Sequence, residues 1–313
     1  MRAPARIVAL LGPQRFEPTL RSVMDSLGMD GRIAAITAGW QERELEDQEL
    51  RDHLDDRAVN LELYARAERV AQADPELARA HRERQSRLRR LQGLYRERLS
   101  HGMSACAALA RDPAPDDDSR GALDEAIEQV RALDAAHVMR IREIHAEFEA
   151  RWKPNERAAV AAERAEIARV MDASTAVAIA GGHVAVLLNR LRQFGIAELL
   201  GGRAVFAWSA GAMAISERVV LFHDMPMHGP GWPEVLEEGL AIVKGIVPLP
   251  HAKRRLKLDD AVRVSLLARR FAPAACTALD DGASLVVRAE GWKAGPGASR
   301  LEETGTVAPM AAA

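Results

Sequence analysis

Short apolar runs occur at both ends of the chain and are separated by a long stretch with helical periodicity. The opening portion has an apolar run at residues 6–11, the turn Gly12-Pro13, a helix through Leu20 and Met24, and a second run at residues 32–37. This order is typical of a parallel α/β sheet. Open α/β sheets bind ligands at the carboxyl ends of their strands, so the loop that follows the second run is expected to line a site.

Residues 46–171 are rich in Arg, Glu, Ala, Leu and Gln, which favours helix. Apolar residues recur there at helical spacing. Examples are Leu88, Leu91, Tyr95 and Leu99, and then Val138, Ile141, Ile144 and Phe148. Residues 112–119 contain two prolines and an acidic run and are expected to join two antiparallel helices. The pattern predicts an α-helical insertion, a hairpin or small bundle, that acts as a lid or as the arm of a homodimer.

Strand-like runs resume after this insertion. Residues 175–180 precede Gly181-Gly182 and an amphipathic helix, and residues 203–207 form the next run. Later apolar segments at 219–222, 242–247 and 283–287 are expected to supply further strands. The predicted fold is α/β, a three-layer sandwich with a mostly parallel central sheet. Residues 1–45 and 172–295 are expected to form it, and residues 296–313 a frayed tail.

Charge and composition narrow the class of partner. The 313 residues carry 43 basic and 45 acidic side chains, a net charge of -2, which provides no field for nucleic acid or an anionic membrane. The apolar run at residues 7–11 is too short for a signal peptide, and no stretch could cross a bilayer, so a cytoplasmic protein is expected. Cys106 and Cys276 lack metal-ligand spacing and are expected to be reduced.

A candidate nucleophile lies at the end of a predicted strand. Ser209 follows residues 204–208 and precedes the small residues Ala210, Gly211 and Ala212. Small neighbours allow the strained strand-to-helix turn known as a nucleophile elbow, although Ala207 replaces the usual first glycine. The alternative is a serine that caps an ordinary helix.

A serine nucleophile needs a base, and that base needs an orienting carboxylate. Of nine histidines, His251 follows an apolar proline-bounded run and should lie beyond a strand end. The alternative is a surface histidine in a loop. Candidate acids are Asp224, after one predicted strand, and Asp280 and Asp281, before another, and spacing does not decide between them. His223, Asp224 and His228 match no common zinc motif, so no metal is expected.

Four short motifs together resemble the serine peptidase family of dipeptidase E and cyanophycinase, which has the class I glutamine amidotransferase-like fold. They are Gly181-Gly182 before a Leu-rich helix, Trp208-Ser-Ala-Gly-Ala212, the proline-rich approach to His251 with Arg254 and Arg255 behind it, and Leu279-Asp-Asp-Gly-Ala-Ser-Leu-Val286. Two features depart from the family. His183 stands where a small polar amide or acid is usual, and the helical insertion is longer.

The resemblance implies roles for particular residues. Ser209 would be the nucleophile, His251 the general base, and the backbone N–H groups of Gly182 and Ala210 the oxyanion donors. The orienting acid would be Asp281 by similarity to cyanophycinase, which has glutamate there, or Asp224 by similarity to dipeptidase E; Asp281 is favoured. Substrate would contact Gly181, His183, Trp208, Arg254 and Arg255. No cofactor is implied.

The expected activity is therefore hydrolysis of an amide bond in a short peptide or peptide-like molecule, next to an aspartyl residue whose carboxylate meets Arg254 or Arg255. Two alternatives remain open from the sequence. The same acyl-enzyme chemistry would serve an esterase or acyltransferase, and an interaction protein could use the helical insertion to dock a partner.

Overall fold

The computed structural model describes residues 7–224 and 231–311. Seven strands form its largest sheet. They are β1 (Val8–Leu11), β2 (Ile33–Ile36), β3 (Ala58–Asn60), β4 (Ala176–Ile179), β5 (Ala204–Trp208), β10 (Ser284–Arg288) and β11 (Gly291–Ala294). The spatial order is β11-β10-β1-β5-β4-β2-β3. Strands β1 to β5 pair in parallel, and β10 and β11 add an antiparallel edge.

Alternate residues of each central strand lie in separate apolar clusters on the two faces of this sheet. In β4, Val177 and Ile179 belong to one cluster, and Ala176 and Ala178 belong to the other. Because both faces are buried, the strands read as continuous apolar runs rather than as alternating ones. The predicted α/β class with a mostly parallel central sheet is confirmed, and the sheet extends to β3, past the predicted boundary at residue 45.

Two smaller sheets hold the remaining strands. β6 (Arg218–Leu221) and β7 (Glu234–Glu238) form an antiparallel pair. The other sheet has the order β13-β12-β9-β8. Its strands are β8 (Ile246–Pro250), β9 (Ala275–Leu279), β12 (Ala298–Leu301) and β13 (Val307–Pro309). The predicted strands at 219–222 and 242–247 thus lie outside the central sheet, which short apolar runs alone do not reveal.

The segment predicted as a frayed tail contains two of these strands. β12 pairs with the edge of β9, and Met310 beyond it is buried. Without β12, the N–H and C=O groups along this edge of β9 would lack partners. Pairing with β9 therefore orders a segment whose residues are mostly small and polar.

Helices surround the sheets. They are α1 (Leu20–Ser26), α2 (Gln48–His53), α3 (Leu63–Ala73), α4 (Pro75–Leu109), α5 (Asp117–Trp152), α6 (Ala158–Asp172), α7 (Val184–Gln193), α8 (Ile196–Leu199), α9 (Ala210–Ile215), α10 (Ala252–Arg255) and α11 (Ala261–Phe271), with 3-10 turns at Ala38–Arg43 and Pro154–Glu156. Asp74 and Asp116 cap α4 and α5 by accepting from the N–H groups of Leu77 and Ser119. The break predicted at residues 112–119 falls at residues 110–116, and α5 already begins at Asp117.

A buried polar network fastens this helical hairpin, α4 and α5, to the rest of the protein. Arg270 on α11 and Asp134 on α5 form a bidentate ion pair, with side chains 1% and 2% exposed. The hydroxyl of Tyr95 on α4 donates to Asp134 at 2.7 Å and accepts from Arg270 at 2.9 Å. It also accepts from the N–H of Val235 on β7 at 3.1 Å. Buried charge is tolerated where its hydrogen bonds are satisfied in this way.

The apolar stripes of the hairpin are buried against the same body. Leu99, Val130 and Phe148 belong to one core cluster with residues of α7, α9 and α11. Ion pairs from α4 and α5 to β7 surround this contact, among them Arg96 with Glu234 at 2.8 Å. The long helices therefore have a packing partner within their own chain. No described helix is both long and apolar enough for a membrane span.

Candidate active site

Ser209 occupies a strained turn between β5 and α9. Its backbone has φ 50° and ψ -123°, a combination that costs energy for any residue with a Cβ. The turn requires close packing behind it, because a Cβ on Gly211 would collide with the carbonyl oxygen of Ile179 on β4. The turn joins a buried strand directly to a short helix and places Ser209 in the wall of a cleft at the end of the strand.

The Gly181-Gly182 turn at the end of β4 lies against this strand-to-helix turn. A Cβ on Gly181 would lie 2.8 Å from the Cβ of Ser209 and 3.5 Å from the backbone nitrogen of Ala210. Gly182 has φ +107°, which side chains rarely permit. The N–H groups of Gly182 and Ala210 donate to no acceptor in the part of the chain that the structure describes. Two free donors thus accompany the serine.

His251 faces Ser209 from the end of β8. Its Nε2 lies 3.5 Å from the serine Oγ, which is longer than a typical hydrogen bond. A small movement of either side chain would bring the two atoms within hydrogen-bond distance. The residue adopts a left-handed backbone with φ 57°, and its N–H donates to the carbonyl oxygen of Leu279 at 3.2 Å. The parallel pairing of β8 with β9 therefore sets the position of this imidazole.

Burial, followed by the positive charges of Arg255 and Arg254, lowers the pKa of His251, and Asp281 acts in the opposite direction. A lowered pKa means that the imidazole is neutral at neutral pH. Its nitrogen is then available to accept a proton from Ser209.

The candidate acids differ in their surroundings. Asp281 is exposed and makes no hydrogen bond within the described residues, but it acts electrostatically on His251. Asp280 accepts from the N–H of Lys253 at 3.0 Å. Asp224 is 3% exposed and accepts from Arg263 Nε and from the N–H of Lys257, both at 3.0 Å. The oxygens of Asp224 are thus occupied by groups other than His251.

A cleft of about 660 Å³ opens above Ser209 and His251. Gly181, Gly182, Trp208, Ala210 and Arg255 line it, and each was predicted from the sequence as a site residue. Two other predicted contacts lie elsewhere in the described structure. His183 caps α7, with Nδ1 accepting from the N–H of Val186 at 3.3 Å, and Arg254 is exposed outside the cleft wall.

Part of the cleft wall was not identified from the sequence. One side comes from the loop after β1, with Gln14 and Arg15, and another from α2, with Glu49 and His53. Trp40 belongs to the loop that was expected to line the site. The rule that ligands bind beyond the carboxyl ends of parallel strands would also have pointed to the loop after β1. Nothing in the composition of α2 separates it from the helical stretch that follows.

No three His, Cys, Asp or Glu side chains cluster into a metal site within residues 7–224 and 231–311. Of the trio considered above, His228 lies outside the described residues.

The strained turn at Ser209 and the two N–H groups lie at the carboxyl ends of β4 and β5, and His251 reaches them from the end of β8 in the second sheet, an arrangement whose chemistry is that of acyl transfer. Residues 129–294, a little over half of the chain, match the model of peptidase family S51, and the chain belongs to this family. The family predicted from the four motifs is thereby confirmed.

A solved structure described as a candidate peptidase E from Listeria monocytogenes EGD-e is similar at 16% identity with a TM-score of 0.31. The match covers 44% of this chain and 65% of that one. No curated protein matches the chain.

Proposed function

We propose that the protein is a serine peptidase that hydrolyses an amide bond in a short peptide or peptide-like substrate through an acyl-enzyme on Ser209. One observation carries the proposal. A strained elbow holds the Ser209 hydroxyl 3.5 Å from the Nε2 of His251, beside the free N–H groups of Gly182 and Ala210.

In the first half of the reaction, His251 Nε2 accepts the proton of the Ser209 hydroxyl as Oγ attacks the carbonyl carbon of the substrate. The negative oxygen that forms accepts hydrogen bonds from the N–H groups of Gly182 and Ala210. The partial positive charge at the N-terminal end of α9 stabilises it further. The imidazolium then gives its proton to the departing amine, and the C–N bond breaks.

In the second half, His251 takes a proton from water, and the oxygen of that water attacks the acyl carbon. Ser209 leaves with the proton and the product acid departs. Asp281 is the acid that we assign to support the imidazolium, because its charge favours the protonated form of His251. The hydrogen bonds of Asp224 to Arg263 and Lys257 argue against that residue.

Arg255 is the proposed contact for a substrate carboxylate. Its side chain lines the cleft beside His251, is half-buried, and has no ion pair or hydrogen bond among the described residues. A guanidinium in that position suits an aspartyl residue of the substrate. The size of the cleft, about 660 Å³, suits a short peptide rather than a folded protein.

Covalent labelling by a fluorophosphonate, located by mass spectrometry, tests the proposal. Wild type is expected to carry the adduct on Ser209, Ser209→Ala to lose it, and His251→Ala to react far more slowly. His101→Ala, which removes an exposed histidine on α4, is the matched control and should label like wild type. Folded wild-type protein that stays unlabelled and cleaves no aspartyl dipeptide would refute the proposed function.

A further inference from the structure

The loop between β2 and α2, residues 37–47, lies backbone to backbone against the Gly181-Gly182 turn. A Cβ on Gly39 would collide with the carbonyl oxygen of Gly181, and a Cβ on Gly182 would collide with the carbonyl oxygen of Gly39. The two segments also share a hydrogen bond, because the N–H of His183 donates to the carbonyl oxygen of Gly39 at 2.7 Å. The loop therefore holds the peptide that follows Gly182 in one orientation.

The other side of the glycine turn is held by the same part of the chain. The N–H of Ala180 donates to the carbonyl oxygen of Ile36 at 2.8 Å, which continues the pairing of β4 with β2. Ala180 and His183 are thus both fixed to the segment that leaves β2, and Gly182 between them carries one of the two free N–H groups. The direction of that N–H depends on the shape of the loop.

The loop contains a strained residue that is not glycine. Gln41 has φ 59° and ψ -124°, almost the conformation of Ser209. A conformation of this kind persists only where the surrounding contacts determine it, and a loop released from those contacts would relax. The shape of the loop must therefore be maintained by contacts of its own residues.

Two polar side chains supply such contacts at the base of the loop. The hydroxyl of Thr37, which is fully buried, donates to the carbonyl oxygen of Glu44 at 2.9 Å. The amide nitrogen of Asn60, at the end of β3, donates to the same carbonyl at 3.0 Å and to the Thr37 hydroxyl at 2.8 Å. The carboxylate of Glu44 accepts from the N–H groups of Tyr64 and Ala65 in the first turn of α3, both at 2.9 Å. The hydrogen bonds of Thr37 and Asn60 form a loop clasp.

We propose that this loop clasp positions the N–H of Gly182 for the oxyanion, acting through the hydrogen bond between Gly39 and His183. Thr37 and Asn60 are positioning residues, since neither lines the described cleft. The inference rests on the proposed peptidase function for its effect on rate, whereas the hydrogen bond between Gly39 and His183 is measurable without catalysis.

Thr37→Val keeps the shape of the side chain and removes the hydroxyl, and Thr37→Ser keeps the hydroxyl. Fluorophosphonate labelling and kcat for Asp-Leu should fall about tenfold to a hundredfold in Thr37→Val, because a misplaced donor stabilises the transition state less. Thr37→Ser should restore most of the rate. Binding of Asp-Leu to Ser209→Ala, followed by tryptophan fluorescence, should be equal with and without Thr37→Val, since the oxyanion is absent from the ground state. Equal rates in wild type and Thr37→Val, or an affinity loss as large as the rate loss, would overturn the inference.

Thr175→Val is the matched control. The hydroxyl of Thr175 donates to the carbonyl oxygen of Asp30 at 2.7 Å, at the opposite end of β2 and β4. This variant should label at the wild-type rate. Asn60→Ala removes the second donor of the loop clasp from the edge strand β3 and should slow labelling as Thr37→Val does. It also provides the test if Thr37→Val does not fold.

Amide hydrogen exchange at His183, followed by NMR, reports the hydrogen bond to Gly39 directly. Exchange should be about twofold to tenfold faster in Thr37→Val, the range for the loss of one neutral hydrogen bond. Wild-type protein that neither labels nor cleaves refutes the peptidase function, and the loop clasp is then judged from exchange alone. Unchanged exchange at His183 in both Thr37→Val and Asn60→Ala would contradict the positioning role.

Discussion

The interface beneath the helical hairpin and the cleft above Ser209 use charged side chains in opposite ways. In the interface, Arg270 and Asp134 are almost fully buried and each meets a partner of opposite charge. In the cleft, the side chain of Arg255 is half-buried and has no partner within the described residues. The first arrangement holds two parts of the chain together, and the second leaves charge available for a ligand.

The difference has a physical basis in desolvation. A buried ion is tolerated when other protein groups replace its lost water contacts, as Tyr95 and Asp134 do for Arg270. A half-buried cation without such partners loses some of its water contacts without replacement, which disfavours its charged form. Burial and then Arg254 lower the pKa of Arg255 accordingly. A substrate carboxylate would restore the missing interaction.

The largest expected effect is on the interface. Asp134→Ala leaves Arg270 buried without its carboxylate and should lower the free energy of unfolding by about 3–5 kcal/mol. Urea denaturation followed by circular dichroism measures it. The double variant Asp134→Leu with Arg270→Met removes both charges and should recover most of the loss. A change below about 1 kcal/mol in the single variant would mean that the network does not fasten the hairpin.

The corresponding change in the cleft should affect activity and leave stability unchanged. Arg255→Gln is expected to reduce kcat/KM for aspartyl dipeptides about tenfold to a hundredfold, because a hydrogen bond to a charged group is lost. Its free energy of unfolding should equal that of wild type or exceed it slightly. Arg254→Gln, adjacent but outside the cleft wall, should have the smaller kinetic effect. Equal losses in the two variants would contradict the assignment of the carboxylate site to Arg255.

The smallest expected effect is a shift in the pH profile of kcat/KM. Neutral His251 is the active base, so activity should fall as pH falls through its lowered pKa. Arg255→Gln removes a nearby positive charge and should move that pKa upward. Asp281→Asn removes a negative charge and should move it downward. The shifts are expected to be fractions of a pH unit, because solvent and salt screen the exposed Asp281. An upward shift in Asp281→Asn would exclude it as the supporting acid.

Local signals were sufficient for the centre of the candidate site. Ser209 follows a buried strand and precedes small residues, and the close approach of Gly211 to Ile179 explains why those residues must be small. His251 follows an apolar run that ends in proline, and β8 indeed ends there. Each of these positions depends mainly on the few residues around it, so a single sequence predicts it.

The walls of the cleft depend on which elements become neighbours. The sheet order brings β1 beside β5, and β2 beside β4, although more than 100 residues separate the members of each pair in the chain. Glu49 and Arg15 enter the cleft through that order alone. Likewise, no pattern along α4, α5 and α11 indicates that Tyr95, Asp134 and Arg270 meet.

The amino-acid sequence by itself determined the α/β class, the two long helices and the strand-to-helix turn at Ser209, because periodicity, caps and turn chemistry act over a few residues. Tertiary structure decided the partner of the hairpin, the ordering of the predicted tail and the charges that face the ligand. Those outcomes depend on which distant segments pack together. Only that packing determines whether a charged side chain is buried against a partner or left without one.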